Sequence, residues 1–111
     1  MINITFRQVD AFHAVVPSGS VNGASAVLGV SQPVISRLIS DLEKVVGFAL
    51  FNRQGRVLVP TPEGRMLVAE VRQAVTGVEH IKNVARVIAT FGHTAVQLVT
   101  VPSFVGGWPR I

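Results

Sequence analysis

The stretch Ser20–Leu42, SVNGASAVLGVSQPVISRLISDL, constrains this chain more than any other. It reads as two short helices joined by a tight turn. Ser20 caps the first helix, because its hydroxyl can accept from one of the N–H groups that a helix start leaves free. Leu28 closes that helix on its buried side, and Gly29 then takes the left-handed conformation that stops it. Val30 drops inward. Ser31 caps the second helix, with Pro33 inside its first turn, where a missing N–H costs nothing. The turn is about three residues long, which is the mechanical signature of a helix-turn-helix.

The second helix separates into two faces. Ile35, Leu38, Ile39 and Leu42 fall at helical spacing and pack inward, leaving Gln32, Pro33, Ser36, Arg37 and Ser40 on the other side. That outer face is short and polar and carries one guanidinium. A surface of this kind fits a major groove about 12 Å wide, where Gln and Arg offer paired hydrogen bonds to adenine and guanine edges. Ser25, four residues before Gly29, is small enough to let the helices of such a pair cross closely. The plain alternative is an ordinary helical hairpin whose polar face meets only water.

Composition permits this reading without establishing it. The 111 residues leave room for one domain plus an appendage. Hydrophobic residues make up 49%, charged residues 14%, and the net charge is +4, so the chain is basic without being a polycation. The absence of cysteine removes disulfides, thiolate metal sites and a cysteine nucleophile. Neither a secretory leader nor a run of about 18 apolar residues is visible, so no membrane partner is expected and the default location is the cytoplasm. There is no phosphate loop, no G-x-S-x-G elbow and no H-E-x-x-H, and His13, His80 and His93 are scattered. No enzymatic activity, cofactor or metal is expected.

Before the central stretch, Phe6, Val9, Phe12 or His13, and Val16 recur at spacings of three and four. They predict an amphipathic helix from about Thr5 to Val16, ended by Pro17, Ser18 and Gly19, that closes a three-helix core. After it, the second helix continues to Gly47. FALFNRQGRVLVP, Phe48–Pro60, then reads as two short strands around a turn containing Gly55. A hairpin this small is marginal alone and has to lean on the helices. Arg53 and Arg56 flank its tip, which suits a wing touching phosphates beside the groove; otherwise they are two solvated arginines.

Thr61 opens the longest element as its cap, with Pro62 in the first helical position and Glu63 adding negative charge to the first turn. Leu67, Val71, Ala74, Val78, Ile81, Ala85 and Ile88 alternate steps of four and three, a heptad seam running to about Thr90. About 30 helical residues span roughly 45 Å, longer than the small domain before them. The expected partner for the seam is the same helix of a second copy, giving a homodimer. The competing arrangement folds the helix back over its own domain. Past Gly92 the composition changes. Ala95–Val101, AVQLVTV, reads as a strand buried on both faces, followed by a turn through Gly106 and Gly107. Twenty residues carrying Phe104 and Trp108 do not make a domain, so the sequence is expected to stop just inside a second one.

These residues also carry a resemblance. AVLGVSQPVISRLISDLE, then GFALFNR and TPEG, resembles the N-terminal winged helix-turn-helix of the LysR-type bacterial transcriptional regulators over about residues 4 to 91. The resemblance implies a mainly α fold with a small β-hairpin: a winged helix-turn-helix over 1–60, a long dimerisation linker helix over 61–91, and the start of a truncated α/β effector domain over 92–111. It implies a homodimer, often a tetramer at full length. The implied ligands are double-stranded DNA carrying an interrupted inverted repeat near a promoter, and a small-molecule effector held by the missing C-terminal domain. By position, Ser31, Gln32, Pro33, Ser36 and Arg37 match the family's DNA-reading residues. Arg53 matches the wing arginine, Thr61 the backbone contact opening the linker helix, and Ser103 a hydroxyl that lines the effector pocket. Two positions depart from the pattern: Val21 stands where an aromatic is usual, and Gly23 where a basic residue is frequent. Losing that cation removes a phosphate contact and flattens the salt dependence slightly. Two other functions fit parts of the sequence, another winged-helix regulator such as the molybdate-responsive type and a dimeric helical scaffold that never touches nucleic acid.

Overall fold

A computed structural model describes residues 3–92. The elements, in order, are α1 (Phe6–Ser18), α2 (Val21–Leu28), α3 (Gln32–Val46), β1 (Phe51–Gln54), β2 (Val57–Pro60) and α4 (Pro62–Phe91). The strand expected at Ala95–Val101, the pocket hydroxyl Ser103 and all but the first residue of the expected effector domain lie outside the described residues.

Each helix begins where a hydroxyl can satisfy its free N–H groups. Thr5 forms a reciprocal capping box with Gln8: the Gln8 N–H donates to Thr5 Oγ1 at 3.2 Å and the Thr5 N–H to Gln8 Oε1 at 3.1 Å. Ser20 Oγ accepts from the Gly23 N–H at 2.9 Å, and Ser31 Oγ accepts from the Val34 N–H at 3.4 Å. One boundary differs from the sequence expectation. α1 runs through Pro17 to Ser18 instead of stopping at Val16. A proline this near a helix end forfeits one hydrogen bond only, and Gly19 closes the helix by donating its N–H to the Val15 carbonyl at 2.8 Å.

The described chain forms two compact units, the first ending at Val75 and the second beginning at Thr76. Within the first unit the core has two parts. Ala11, Ala14, Val15, Ala24 and Ile35 fill the crossing of α1, α2 and α3, where three alanines let the helix backbones approach closely. Phe12, Leu42, Leu50, Val68 and Val71 form the other part, with the Phe51 ring set edge-on against Phe12 at 5.4 Å between centroids.

β1 and β2 pair antiparallel, Phe51 opposite Pro60 and Gln54 opposite Val57, around a two-residue turn. Gly55 has φ +63° whereas Arg56 does not have a positive φ, the sign pattern of a type II′ turn, which follows the natural strand twist. The hairpin does lean on the helices. The Leu58 N–H donates to the Gly19 carbonyl at 2.8 Å, and Leu58 and Phe51 pack against the helical core.

α4 is 30 residues long. Its first turns belong to the first unit, and this corrects part of the expected seam. Val71 is only 5% exposed, and it and Leu67 pack with Phe12, Leu42 and Leu50 of the same chain. Val71 is therefore a core residue of the domain, since a side chain already covered cannot face a second copy, whereas Leu67 is half-buried and keeps part of its side chain uncovered. Farther along, Ala74, Ala85 and Ile88 are exposed, Val78 is half-buried and Ile81 is 66% exposed. Phe91, off the expected seam, is 68% exposed. Among the described residues, no helix is long and apolar enough to cross a membrane.

Candidate nucleic-acid interface

α3 presents the two faces its sequence implies. Ile35 and Leu42 are fully buried and Leu38 and Ile39 half-buried, so the helix is pinned along one side. Ser31, Gln32, Pro33, Ser36, Arg37 and Ser40 are all exposed on the other. The rotation of α3 about its axis is set by the buried side, and the polar face is consequently held in place by the core. Arg37 carries the positive charge of that face, its side chain 85% exposed, with Nε 3.8 Å from Asp41 Oδ2 one turn on. So exposed a pair contributes little to stability and leaves the guanidinium able to take a stronger acceptor.

The turn between α2 and α3 is fastened by a bond not visible in the sequence pattern. Ser25 Oγ donates to the Val30 carbonyl, so this serine, besides being small, fixes the turn. A second link joins the helices at the exposed edge, where Gln32 Nε2 donates to Asn22 Oδ1 at 3.0 Å. Asn22 is absent from the residues singled out by pattern, because a polar residue at the second position of a helix carries no signal until its neighbour across the turn is known.

Arg53 and Arg56 are exposed at the hairpin tip. Arg53 stands opposite Leu58, on the strand face that also carries Phe51 one step nearer the core, while Arg56 lies in the turn itself. Both cations are thus carried by a hairpin that is tied to the α1–α2 junction through Leu58, directly opposite Arg53. What the arrangement offers chemically is an exposed amide, hydroxyl and guanidinium face on a helix, with separate guanidinium groups on a short ribbon. That combination donates and accepts on a groove floor and contacts anionic groups at its rim.

Thr61 does not join this surface. It is 5% exposed; its hydroxyl donates to the Ala49 carbonyl at 2.6 Å and accepts from the Gly64 N–H at 2.9 Å, and its own N–H donates to the Leu50 carbonyl at 3.0 Å. A hydroxyl has one proton to give, and here the protein's interior takes it. The assignment of Thr61 to a backbone contact is corrected on that ground: it is the clasp between the strand lead and α4. Glu43 works beside it, its Oε2 accepting from the Leu50 N–H at 2.7 Å. Gly64 completes the clasp, since a Cβ built there would overlap the Leu50 carbonyl oxygen. At Gly23, where the family resemblance leads one to expect a basic residue, a Cβ would overlap the Ser18 side chain. Among the described residues, no group of three or more His, Cys, Asp or Glu side chains could hold a metal ion.

The profile of the bacterial regulatory helix-turn-helix proteins, lysR family, matches residues 6–65, more than half of the 111. The chain belongs to this family. The match takes in α1, α2, α3, the hairpin and the start of α4. The octopine catabolism/uptake operon regulatory protein OccR of Rhizobium meliloti is 37% identical over 108 residues, covering 96% of this chain and 36% of the relative. The transcriptional activator protein LysR of Escherichia coli is 34% identical over 104 residues, covering 94% of this chain and 33% of the relative. The chain thus spans about a third of the length of these curated relatives. Among solved structures, the BenM DBD in complex with benA site 1 DNA has a TM-score of 0.67 at 30% identity, over 78% of this chain and 98% of that one. The lysR-family fold is therefore a winged helix-turn-helix here as well: α2 and α3 form the motif, and β1 and β2 the wing.

Proposed function

We propose that this chain is the DNA-reading and pairing part of a dimeric, ligand-responsive transcriptional regulator. In this reading residues 1–60 bind double-stranded DNA, 61–91 pair two copies, and 92–111 begin the effector-binding domain, with Ser103 at its pocket. Two copies related by a twofold axis place two α3 helices on an interrupted inverted repeat near a promoter, and full-length copies assemble further to a tetramer. Ser31, Gln32, Pro33, Ser36 and Arg37 read the groove, and Arg53 and Arg56 meet phosphates beside it. The free apolar positions of α4, Ile81 and Ile88 foremost, supply the pairing surface together with Leu67, Ala74, Val78 and Ala85. The protein works in the cytoplasm and carries out no catalytic step of its own.

The observation that carries this reading is the rotation of α3. Its apolar side is consumed by the core, so the face of Gln32, Pro33, Ser36, Arg37 and Ser40 stays exposed, its polar links within the described residues being only those of Gln32 to Asn22 and Arg37 to Asp41. Selection from a randomised duplex library, followed by a salt titration on the selected sequence, tests it. The expected result is an enriched inverted repeat and an affinity that falls steeply as salt rises, because bound phosphates release counterions. Absence of enrichment together with a flat salt response overturns the proposal and favours a protein scaffold.

A further inference from the structure

The bond between Gln32 and Asn22 bears on how the groove is read. Gln32 is the first residue of α3 and Asn22 the second of α2. Both side chains are exposed, and Gln32 Nε2 donates to Asn22 Oδ1 at 3.0 Å. A primary amide has two N–H groups and one carbonyl oxygen. With one N–H committed to Asn22, one N–H and the oxygen of Gln32 remain free. Those are the two groups that a glutamine needs to donate to N7 and accept from N6 of an adenine. An unrestrained glutamine can turn its amide over, exchanging donor and acceptor, and also samples several rotamers. Restraining it before contact lessens both losses.

We infer that Asn22 is a positioning residue for base readout: by accepting from Gln32 Nε2 it favours the amide orientation that leaves one N–H and the oxygen free for an adenine, and it touches no base itself. The inference rests on the proposed reading of α3, and it differs from any role in holding the fold. The chain keeps its core without either side chain, both lying outside the two buried clusters.

Selection on a randomised duplex library with Gln32→Ala first marks the base pair whose preference depends on Gln32. Asn22→Ala is then expected to weaken preference at that same base pair by roughly threefold to tenfold, the cost of one unfixed side chain, with affinity for random DNA unchanged. Asn22→Asp is expected to restore the preference, because a carboxylate only accepts and so forces Gln32 to present its N–H inward. Its added negative charge lowers affinity for every sequence alike. In the double variant Asn22→Ala and Gln32→Ala, the loss at that base pair equals that of Gln32→Ala alone, the mark of two residues acting as a unit. Asn22→Ala that keeps full preference, or that weakens selected and random DNA equally, overturns the inference while leaving the α3 reading intact. Should Gln32→Ala move no base pair at all, the readout role of that glutamine falls and the inference with it. Thermal melts of the single variants matching the parent confirm that the changes are in readout and not in folding.

Discussion

Replacing Thr61 with valine separates a structural clasp from a DNA contact. The substitution keeps the shape and removes only the hydroxyl. The Ala49 carbonyl loses its donor and the Gly64 N–H its acceptor, and the latter bond is buried. The buried Gly64 N–H left without an acceptor costs about 1 to 3 kcal/mol and the part-buried Ala49 carbonyl less, so a combined loss of about 2 to 4 kcal/mol is expected after local relaxation. Against a total stability of about 5 to 15 kcal/mol that is a large share. In a domain of this size it lowers Tm by on the order of 10 to 20 °C. Thr61→Ser keeps the hydroxyl, loses one methyl group, and is expected to cost about 1 kcal/mol. The assay is thermal and urea unfolding followed by far-UV circular dichroism at one fixed protein concentration, beside a DNA titration of each variant at a temperature where all are folded. A valine variant with an unchanged midpoint and a selective loss of DNA affinity would refute the clasp.

Glycine to alanine on α4 should change sign with position. Gly77 has open space around it, so Gly77→Ala raises stability by about 1 kcal/mol, whereas Gly64→Ala meets the Leu50 carbonyl and lowers it by about 1 to 3 kcal/mol; a melt showing the same sign for both would contradict the close approach. Arg37→Ala is expected to cost about 1 to 3 kcal/mol on the selected DNA and to relax preference, while Arg53→Ala weakens all sequences alike and reduces the salt slope by about 1. Equal losses for Arg37→Ala on selected and random duplexes would remove its readout role. Ile81→Asp, at an exposed position of α4, is expected to weaken self-association by about 30-fold, the equivalent of about 2 kcal/mol of lost apolar burial. Sedimentation equilibrium measures this, and an unaltered association constant would place the pairing surface elsewhere.

What the sequence alone determined about this protein is local in origin. Hydroxyls at Ser20, Ser31 and Thr61 mark helix starts because a cap acts over three residues. The inward and outward faces of α3 follow from the spacing of Ile35, Leu38, Ile39 and Leu42, and the hairpin from its two apolar ends around Gly55. Each of these signals is complete within one turn or one strand pair, so no knowledge of the rest of the chain is needed to read it.

Tertiary structure decided matters that depend on residues distant in the chain. A period of three and four shows that Val71 needs covering but not by what, and the core of its own domain takes it before any second copy can. The hydroxyl of Thr61 reads as a cap and no more until Ala49, twelve residues earlier, is seen to receive its proton. Gly64 stands in a helical run with no visible reason to be glycine, until the Leu50 carbonyl is found against its Cα. Asn22 and Gln32, ten residues apart, become a pair only because the turn between α2 and α3 brings their helix starts to one edge. Spacing states which groups must be satisfied; only the packed chain chooses the partner, because burial and hydrogen bonding act through distance in space, whatever the separation along the sequence.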